Sequence, residues 1–178
     1  MDKELLLSNL RNIPDFPKPG IQFKDVSTLF KDARCFQEML DELTRRYEDK
    51  HITKVVGIES RGFVMGAAIA AKLGAGFAMC RKPGKLPGET VRKSYAKEYG
   101  TDSIEIHMDA IEEGDTVLIH DDLLATGGSM RAAYDLVRSF KPKAVFINFI
   151  IELRIEGLDG RAMMPPGTNI DTLLTITD

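Results

Sequence analysis

The stretch that decides the fold is DTVLIHDDLLATGGSM, residues 115–130. Its apolar part, residues 116–120, predicts a buried strand that runs into two adjacent carboxylates, Asp121 and Asp122. A short loop and a helical pattern follow. Carboxylates at the end of a parallel strand suit ribose hydroxyls or Mg²⁺, and a Thr-Gly-Gly-Ser turn that opens a helix presents backbone N–H groups to a phosphate. The stretch therefore predicts a site for a phosphorylated ribose.

The chain around this stretch alternates strands with helices. The predicted strands are 54–58, 77–80, 116–120, 144–151 and 172–176, and the predicted helices are 33–48, 63–73 and one after residue 129. This rhythm predicts an α/β fold with a mostly parallel central sheet and helices on both faces. Because ligands of such sheets bind beyond the carboxyl ends of the strands, we expect the chemistry at 58–62, 81–85, 121–129 and 152–153.

Composition narrows the class of protein. The 178 residues fit one domain, 1–178, and the net charge of −3 with a pI of about 5.7 comes without a basic block that would indicate a nucleic-acid partner. We find no apolar run long enough for a signal peptide or a membrane span. Cys35 and Cys80 form no disulfide or metal pattern, so we expect a cytoplasmic location.

Three further segments carry candidate chemistry. GIESRG, residues 57–62, ends the first strand of the sheet and by itself is compatible with an ordinary tight turn. RKPGKLPG, residues 81–88, places Arg81, Lys82 and Lys85 at a strand end, as a diphosphate clamp or a solvated basic loop would. Residues 83–109 continue into two exposed strands, which favours a lid but also fits a plain hairpin.

In combination, these motifs resemble the type I phosphoribosyltransferases, and the DDLLATGG wording at 121–128 is most similar to their adenine-specific branch. The resemblance runs from about residue 16 to about residue 153. It implies transfer of the 5-phosphoribosyl group from phosphoribosyl diphosphate (PRPP) to N9 of adenine, giving AMP and diphosphate. It also implies Mg²⁺ bound with PRPP, a homodimer, and small-molecule substrates without nucleic-acid or membrane partners.

The resemblance assigns most of the motif residues to PRPP. These are Ser60, Arg61, Arg81, Lys82, Lys85, Asp121, Asp122, Ala125, Thr126, Gly127, Gly128 and Ser129. The 125–129 backbone would hold the 5-phosphate, and the two aspartates would hold ribose hydroxyls or waters on Mg²⁺, with no direct protein ligand to the metal. The family also implies a cis peptide between Glu59 and Ser60.

The base site rests on the resemblance alone. A small N-terminal hood, about 1–32, would stack Phe23 on the purine, while the backbones of Gln22 and Arg61 read its edge and Leu153 closes the other face. A flexible hairpin lid, about 83–109, would bring Glu98 to the purine proton. By themselves, a phenylalanine or leucine is usually core and Glu98 an ordinary surface carboxylate. The residues assigned to catalysis are Glu98, Arg61, Asp121 and Asp122.

Two other functions stay open, together with one unexplained residue. The base could be another purine such as hypoxanthine, guanine or xanthine, or the chain could be a non-catalytic PRPP-sensing regulator, which the acidic pI opposes. His120 shares a strand face with Asp122. It is interpreted either as a hydrogen-bonded core histidine or as a group that orients or charge-balances Asp122.

Overall fold

The computed structural model describes residues 1–96, 100–155 and 157–177. The helices are α1 (Lys3–Asn9), α2 (Ser27–Lys31), α3 (Ala33–Tyr47), α4 (Gly62–Leu73) and α5 (Gly128–Ser139), and a 3₁₀ helix spans Gly160–Met163. The strands are β1 (Arg11–Pro14), β2 (Gln22–Asp25), β3 (Lys54–Ile58), β4 (Gly76–Cys80), β5 (Thr90–Ala96), β6 (Thr101–His107), β7 (Thr116–Leu124), β8 (Ala144–Leu153) and β9 (Asn169–Ile176).

The central sheet has the strand order β4-β3-β7-β8-β9, and each neighbouring pair is parallel. From β3 the chain first adds β4 on one side and later adds β7 on the other, so the strand order reverses between β3 and β7. Loops leaving the carboxyl ends of two such strands diverge and open a crevice. This topology brings the turn at 59–62 next to residues 121–129.

Both faces of the sheet are covered, as the sequence predicts. One apolar cluster joins Val55, Leu118 and Ile150 to the first four helices, and the other joins Ile119 and Phe149 to α5 and β6. The two clusters draw on alternate residues of the same strands, which is why β3, β7 and β8 read as continuous apolar runs.

Helix α3 shows how local sequence sets these elements. Met39, Leu43 and Tyr47 recur every four residues and are all buried against the sheet. The carboxylate of Asp32 accepts a hydrogen bond from the Cys35 backbone N–H at 2.8 Å and caps the first turn. The predicted helix at 33–48 is therefore confirmed to within one residue.

The predicted end of the signature strand is wrong. The sequence suggests that the strand stops before the acidic pair, but β7 continues to Leu124, since Leu123 and Leu124 pair with Ile151 and Glu152 of β8. The two aspartates therefore lie within a strand rather than in a loop. Helices α1 and α2 were not predicted, because seven and five residues are too few to show a helical period.

Two small antiparallel sheets flank the central one. Strands β1 and β2 pair with Arg11 opposite Asp25, and β5 and β6 form a hairpin with Thr90 opposite His107. These sheets fall within the segments predicted as hood and lid. No helix in the described parts of the chain combines the length and apolarity that a membrane span needs.

Candidate active site

The acidic pair occupies the carboxyl end of β7 beside the crevice. Strand alternation turns Asp121 and Asp122 to opposite faces. Asp122 is buried and accepts a hydrogen bond from Nε of Arg61 at 2.5 Å. Burial and the adjacent Asp122 carboxylate raise the pKa of Asp121 well above its usual value. Two adjacent carboxylates favour positive partners, and their oxygen atoms are of the kind that Mg²⁺ carried by a phosphorylated ligand prefers.

Arg61 links two parts of the crevice. It lies immediately before α4, and its guanidinium carbon is 5.4 Å from the centre of the Phe23 ring, within reach of a cation–π contact. Phe23 in turn packs edge-on against Phe16, with ring centres 5.2 Å apart. One side chain therefore spans from the Asp122 carboxylate to the aromatic residue of β2.

The turn after β3 holds the cationic segment 81–85. The Glu59–Ser60 peptide is cis, which confirms the geometry that the resemblance implies. The Glu59 carboxylate accepts hydrogen bonds from Nε and Nη2 of Arg81 at 3.2 and 3.0 Å, and from the Lys82 backbone N–H at 3.0 Å. The hydrogen bond from Arg81 is the main reason that the pKa of Glu59 lies below its usual value. Arg81 is thus already paired with a carboxylate of the site.

The loop 125–129, by contrast, is shaped by its backbone. Gly127 has a φ of +80°, and a Cβ at this position would overlap the carbonyl oxygen of Gly160. Helix α5 begins directly after it, and the first N–H groups of a helix have no partner within the helix. The loop therefore offers backbone donors and a positive helix terminus to an anion.

Sequence reasoning missed the carboxylate that fixes the cationic segment from its other side. Glu105 is buried and accepts hydrogen bonds from the Gly84 N–H at 2.9 Å and from Nη2 of Arg92 at 3.2 Å. Its backbone forms two hydrogen bonds with that of Arg81, at 2.7 and 2.9 Å. The sequence shows only a lone glutamate between two isoleucines of a strand predicted to be exposed. Ile104, Glu105 and Ile106 are all buried, so the carboxylate requires polar partners inside the hairpin.

Asp25 was also missed as an anchor of the N-terminal sheet. It is buried and accepts hydrogen bonds from Nε of Arg11 at 3.0 Å and from the Ser27 backbone N–H at 3.0 Å. Burial opposes ionisation of Asp25, but the bonds from Ser27 and Arg11 outweigh it and lower its pKa to about 2. This anchor keeps β2, and Phe23 with it, beside the crevice.

Comparison with known proteins decides the family. The model of the phosphoribosyl transferase domain family matches residues 30–159. The adenine phosphoribosyltransferase of Phocaeicola vulgatus is 64% identical over 99% of this chain and 100% of its own, and that of Bacteroides thetaiotaomicron is 56% identical over 99% of each. This chain belongs to the adenine phosphoribosyltransferase family. A crystal structure of the Rhodothermus marinus enzyme matches with a TM-score of 0.90 at 47% identity, covering 97% of both chains.

The structure of the Saccharomyces cerevisiae member of the adenine phosphoribosyltransferase family, solved with adenine and an imino-altritol bisphosphate, matches with a TM-score of 0.89 at 40% identity. It covers 96% of this chain and 97% of its own. Both structural matches confirm the predicted fold class.

Most of the residues predicted from the family motifs do converge. Ser60, Arg61, the two aspartates and the 125–129 loop meet at the β3–β7 crevice, and Phe23 approaches from β2. Leu153 is buried at the end of β8, whereas the side chain of Gln22 is exposed and accepts a hydrogen bond from Asn12. Glu98 lies outside the described residues, so its role stays a prediction.

The structure favours the core-histidine interpretation of His120 over the charge-balancing one. His120 is fully buried, and its Nδ1 lies 2.7 Å from Oδ1 of Asn148. Burial outweighs the attraction of Asp122 and lowers the pKa of His120 to about 4, so the imidazole is neutral at pH 7. Arg61, not His120, pairs with the charge on Asp122. His120 is a hydrogen-bonded core histidine.

Proposed function

We propose that the β3–β7 crevice binds PRPP and adenine and carries out the reaction of the adenine phosphoribosyltransferase family, which yields AMP and diphosphate. The observation that carries this proposal is the position of Asp121 and Asp122 between the Arg61 side chain and the backbone loop 125–129. A carboxylate pair, a cation and a helix N-terminus at one edge match the parts of a phosphorylated ribose with a diphosphate leaving group.

PRPP is seated by two kinds of contact. The backbone N–H groups of residues 125–129 and the start of α5 hold the 5-phosphate. Ser60, Arg61 and the cations Arg81, Lys82 and Lys85 face the diphosphate. Asp121 and Asp122 hold the ribose hydroxyls or waters on the Mg²⁺ that accompanies PRPP. When bound, this Mg²⁺ neutralises part of the diphosphate charge.

The same residues favour breaking of the bond between C1 of the ribose and the diphosphate oxygen. As this bond lengthens, the ribose becomes oxocarbenium-like, and the carboxylates of Asp121 and Asp122 stabilise the developing positive charge. Negative charge collects on the leaving diphosphate beside Arg61 and Arg81, where one well-placed donor contributes roughly 3–4 kcal/mol.

Adenine is placed on the opposite side of C1, where its N9 attacks. Phe23 stacks on the purine, the backbones of Gln22 and Arg61 read its edge, and Leu153 closes the other face. Glu98 manages the purine proton. Closure of the 83–109 lid excludes water that would otherwise hydrolyse PRPP. Contact of the hairpin with the phosphate loop supports this role, because a Cβ on Gly128 would lie 3.3 Å from the Tyr95 ring.

The resemblance to the family supports a proposal for the assembly and the location. We propose a homodimer in which the cationic segment 81–88 acts across the interface. A cytoplasmic location is supported by the two free cysteines, Cys35 and Cys80, which are both buried.

Incubation with PRPP, Mg²⁺ and each purine in turn tests the function directly. We expect rapid formation of AMP with adenine and little nucleotide with hypoxanthine, guanine or xanthine. Preferential turnover of a 6-oxopurine would reassign the base. Tight PRPP binding without nucleotide formation from any purine would indicate a PRPP-sensing regulator.

A further inference from the structure

The 3₁₀ helix at Gly160–Met163 packs directly against the loop assigned to the 5-phosphate. A Cβ built on Gly160 would lie 2.6 Å from the carbonyl oxygen of Ala125 and 2.6 Å from Cδ1 of Leu124. A Cβ on Gly127 would overlap the Gly160 carbonyl oxygen in the reverse direction. Backbone therefore meets backbone at this contact, and a displacement of the 3₁₀ helix is transmitted to the loop.

Arg161 fastens this helix to the sheet. Its Nε and Nη2 donate to the two carboxylate oxygens of Glu152 at 2.5 and 2.9 Å, and its Nη1 donates to the carbonyl oxygen of Ile170 at 3.1 Å. Glu152 is buried. Burial opposes its ionisation, but the hydrogen bonds from Arg161 and Arg154 outweigh this effect and keep the pKa of Glu152 below its usual value. Glu152 is thus a charged anchor at neutral pH.

The far end of the 3₁₀ helix is held by α5. Nη1 of Arg131 donates to the carbonyl oxygen of Met163 at 2.9 Å. The helix is therefore tied to β8 and β9 at one end, to α5 at the other, and touches the phosphate loop between them. It begins one residue beyond the segment that matches the phosphoribosyl transferase domain model, which ends at residue 159.

We propose that Arg161 is a positioning residue for PRPP, which holds the 3₁₀ helix against Gly127 so that the 125–129 backbone keeps its phosphate-binding shape. This inference rests on the proposed function, because it assumes that the loop binds the 5-phosphate. A planar guanidinium suits the task, since two parallel hydrogen bonds to one carboxylate fix direction as well as distance.

Arg154 provides a matched control. Its Nε donates to the same Glu152 carboxylate at 3.0 Å, but it lies outside the 3₁₀ helix, and its side chain is 55% exposed against 32% for Arg161. Arg154→Gln and Arg161→Gln each remove one cation from Glu152. Only the second releases the segment that touches the loop.

The test uses the full chain and compares ligands that carry a 5-phosphate, AMP and PRPP, with adenine, which carries none. For Arg161→Gln we expect the Kd of AMP, measured by calorimetry, and the KM of PRPP to rise about tenfold or more, with kcat and the KM of adenine changing less than about threefold. For Arg154→Gln we expect the Kd of AMP, both KM values and kcat to stay within about twofold of the wild type. Three results would each overturn the inference. The Kd of AMP and the KM of PRPP could be unchanged in Arg161→Gln, they could rise as much in Arg154→Gln, or the KM of adenine could rise as much as that of PRPP in Arg161→Gln.

A second variant and the activity of the wild-type chain separate a folding defect, a failure of the proposed function and a failure of the inference about Arg161. If Arg161→Gln does not fold, Arg161→Lys is measured against the same criteria, because lysine keeps the charge but loses the two-pronged contact. If the wild-type chain makes no AMP from adenine and PRPP, the proposed function fails. If it does make AMP and the arginine variants meet one of the overturning results, the inference about Arg161 fails alone.

Discussion

The two regions that face phosphate groups in the proposed site are held in place by different kinds of contact. The loop 125–129 is shaped by backbone contacts, with Gly127 against Gly160 and a helix N-terminus behind it. The cationic segment 81–85 is held by side chains, with Arg81 on Glu59 and the Gly84 N–H on Glu105. A backbone support tolerates changes of salt and pH but no added Cβ, whereas an ion-paired support tolerates changes of size but needs its charges.

The largest effect is expected at the acidic pair, which lies near the end of β7 just before the loop 125–129. The double substitution Asp121→Asn and Asp122→Asn should lower kcat about 100-fold or more, because both carboxylates proposed to hold the ribose are replaced by neutral amides. The fold should persist, since asparagine has nearly the same shape and Arg61 can turn to solvent. Steady-state kinetics and circular dichroism measure both results, with Asp41→Asn, an exposed position on α3, as the control. Near-normal turnover in the double variant would end the ribose assignment.

Addition of a single methyl group to the loop 125–129 should destabilise the protein. We expect Gly127→Ala to destabilise the protein by about 2–4 kcal/mol, because strain at a positive φ combines with a steric overlap. Gly167→Ala shares the positive φ but meets open space, so it should cost only about 1 kcal/mol. Urea unfolding measures both variants. Equal losses would mean that the contact with Gly160 is unimportant.

The cationic segment 81–85 should instead lose its support when the Glu59 carboxylate that binds Arg81 is neutralised. For Glu59→Gln we expect the KM of PRPP to rise about tenfold and the free energy of unfolding to fall by about 1 kcal/mol at pH 7. Because the folded-state pKa of Glu59 is lowered, this difference should hold above about pH 4.5 and shrink as the pH falls below it. Glu89→Gln, an exposed position near this segment, is the control. A pH-independent difference would contradict the ion-pair account.

The smallest effect on activity is expected for His120→Val. Since His120 is neutral at pH 7, the pH dependence of PRPP affinity between pH 6 and 8 should be the same in variant and wild type. Its folded-state pKa lies below the ordinary 6.5, so the wild type should lose stability relative to the variant as the pH falls from about 6.5 towards 4. Different affinity profiles above pH 6 would restore a role for His120 at Asp122.

The same contrast explains how far the sequence predicts the structure. The 125–129 loop was predicted because its signals are local: an apolar run, a glycine turn and a helical period follow one another directly along the chain. The partners of the cations were not predicted. Glu59 and Arg81 are 22 residues apart, and which carboxylate a given arginine meets depends on the register of β3 with β4.

Two other features were out of reach of local patterns. The strand end at Leu124 depends on pairing with β8, which the polarity of Asp121 and Asp122 hides. The contact between Gly127 and Gly160 joins two backbones through the absence of side chains, and a glycine by itself does not indicate what approaches it.

The buried contact between His120 and Asn148 has a consequence for assembly of the sheet. These two residues face each other in the parallel ladder of β7 and β8, where the neighbours of Asn148 on the same face are Phe146 and Ile150. If β7 slipped by two residues, the imidazole would lie opposite one of these apolar side chains and lose its hydrogen bond, at a cost of about 1–3 kcal/mol. The hydrogen bond between His120 and Asn148 thus favours the native register of two long apolar strands over registers shifted by two residues.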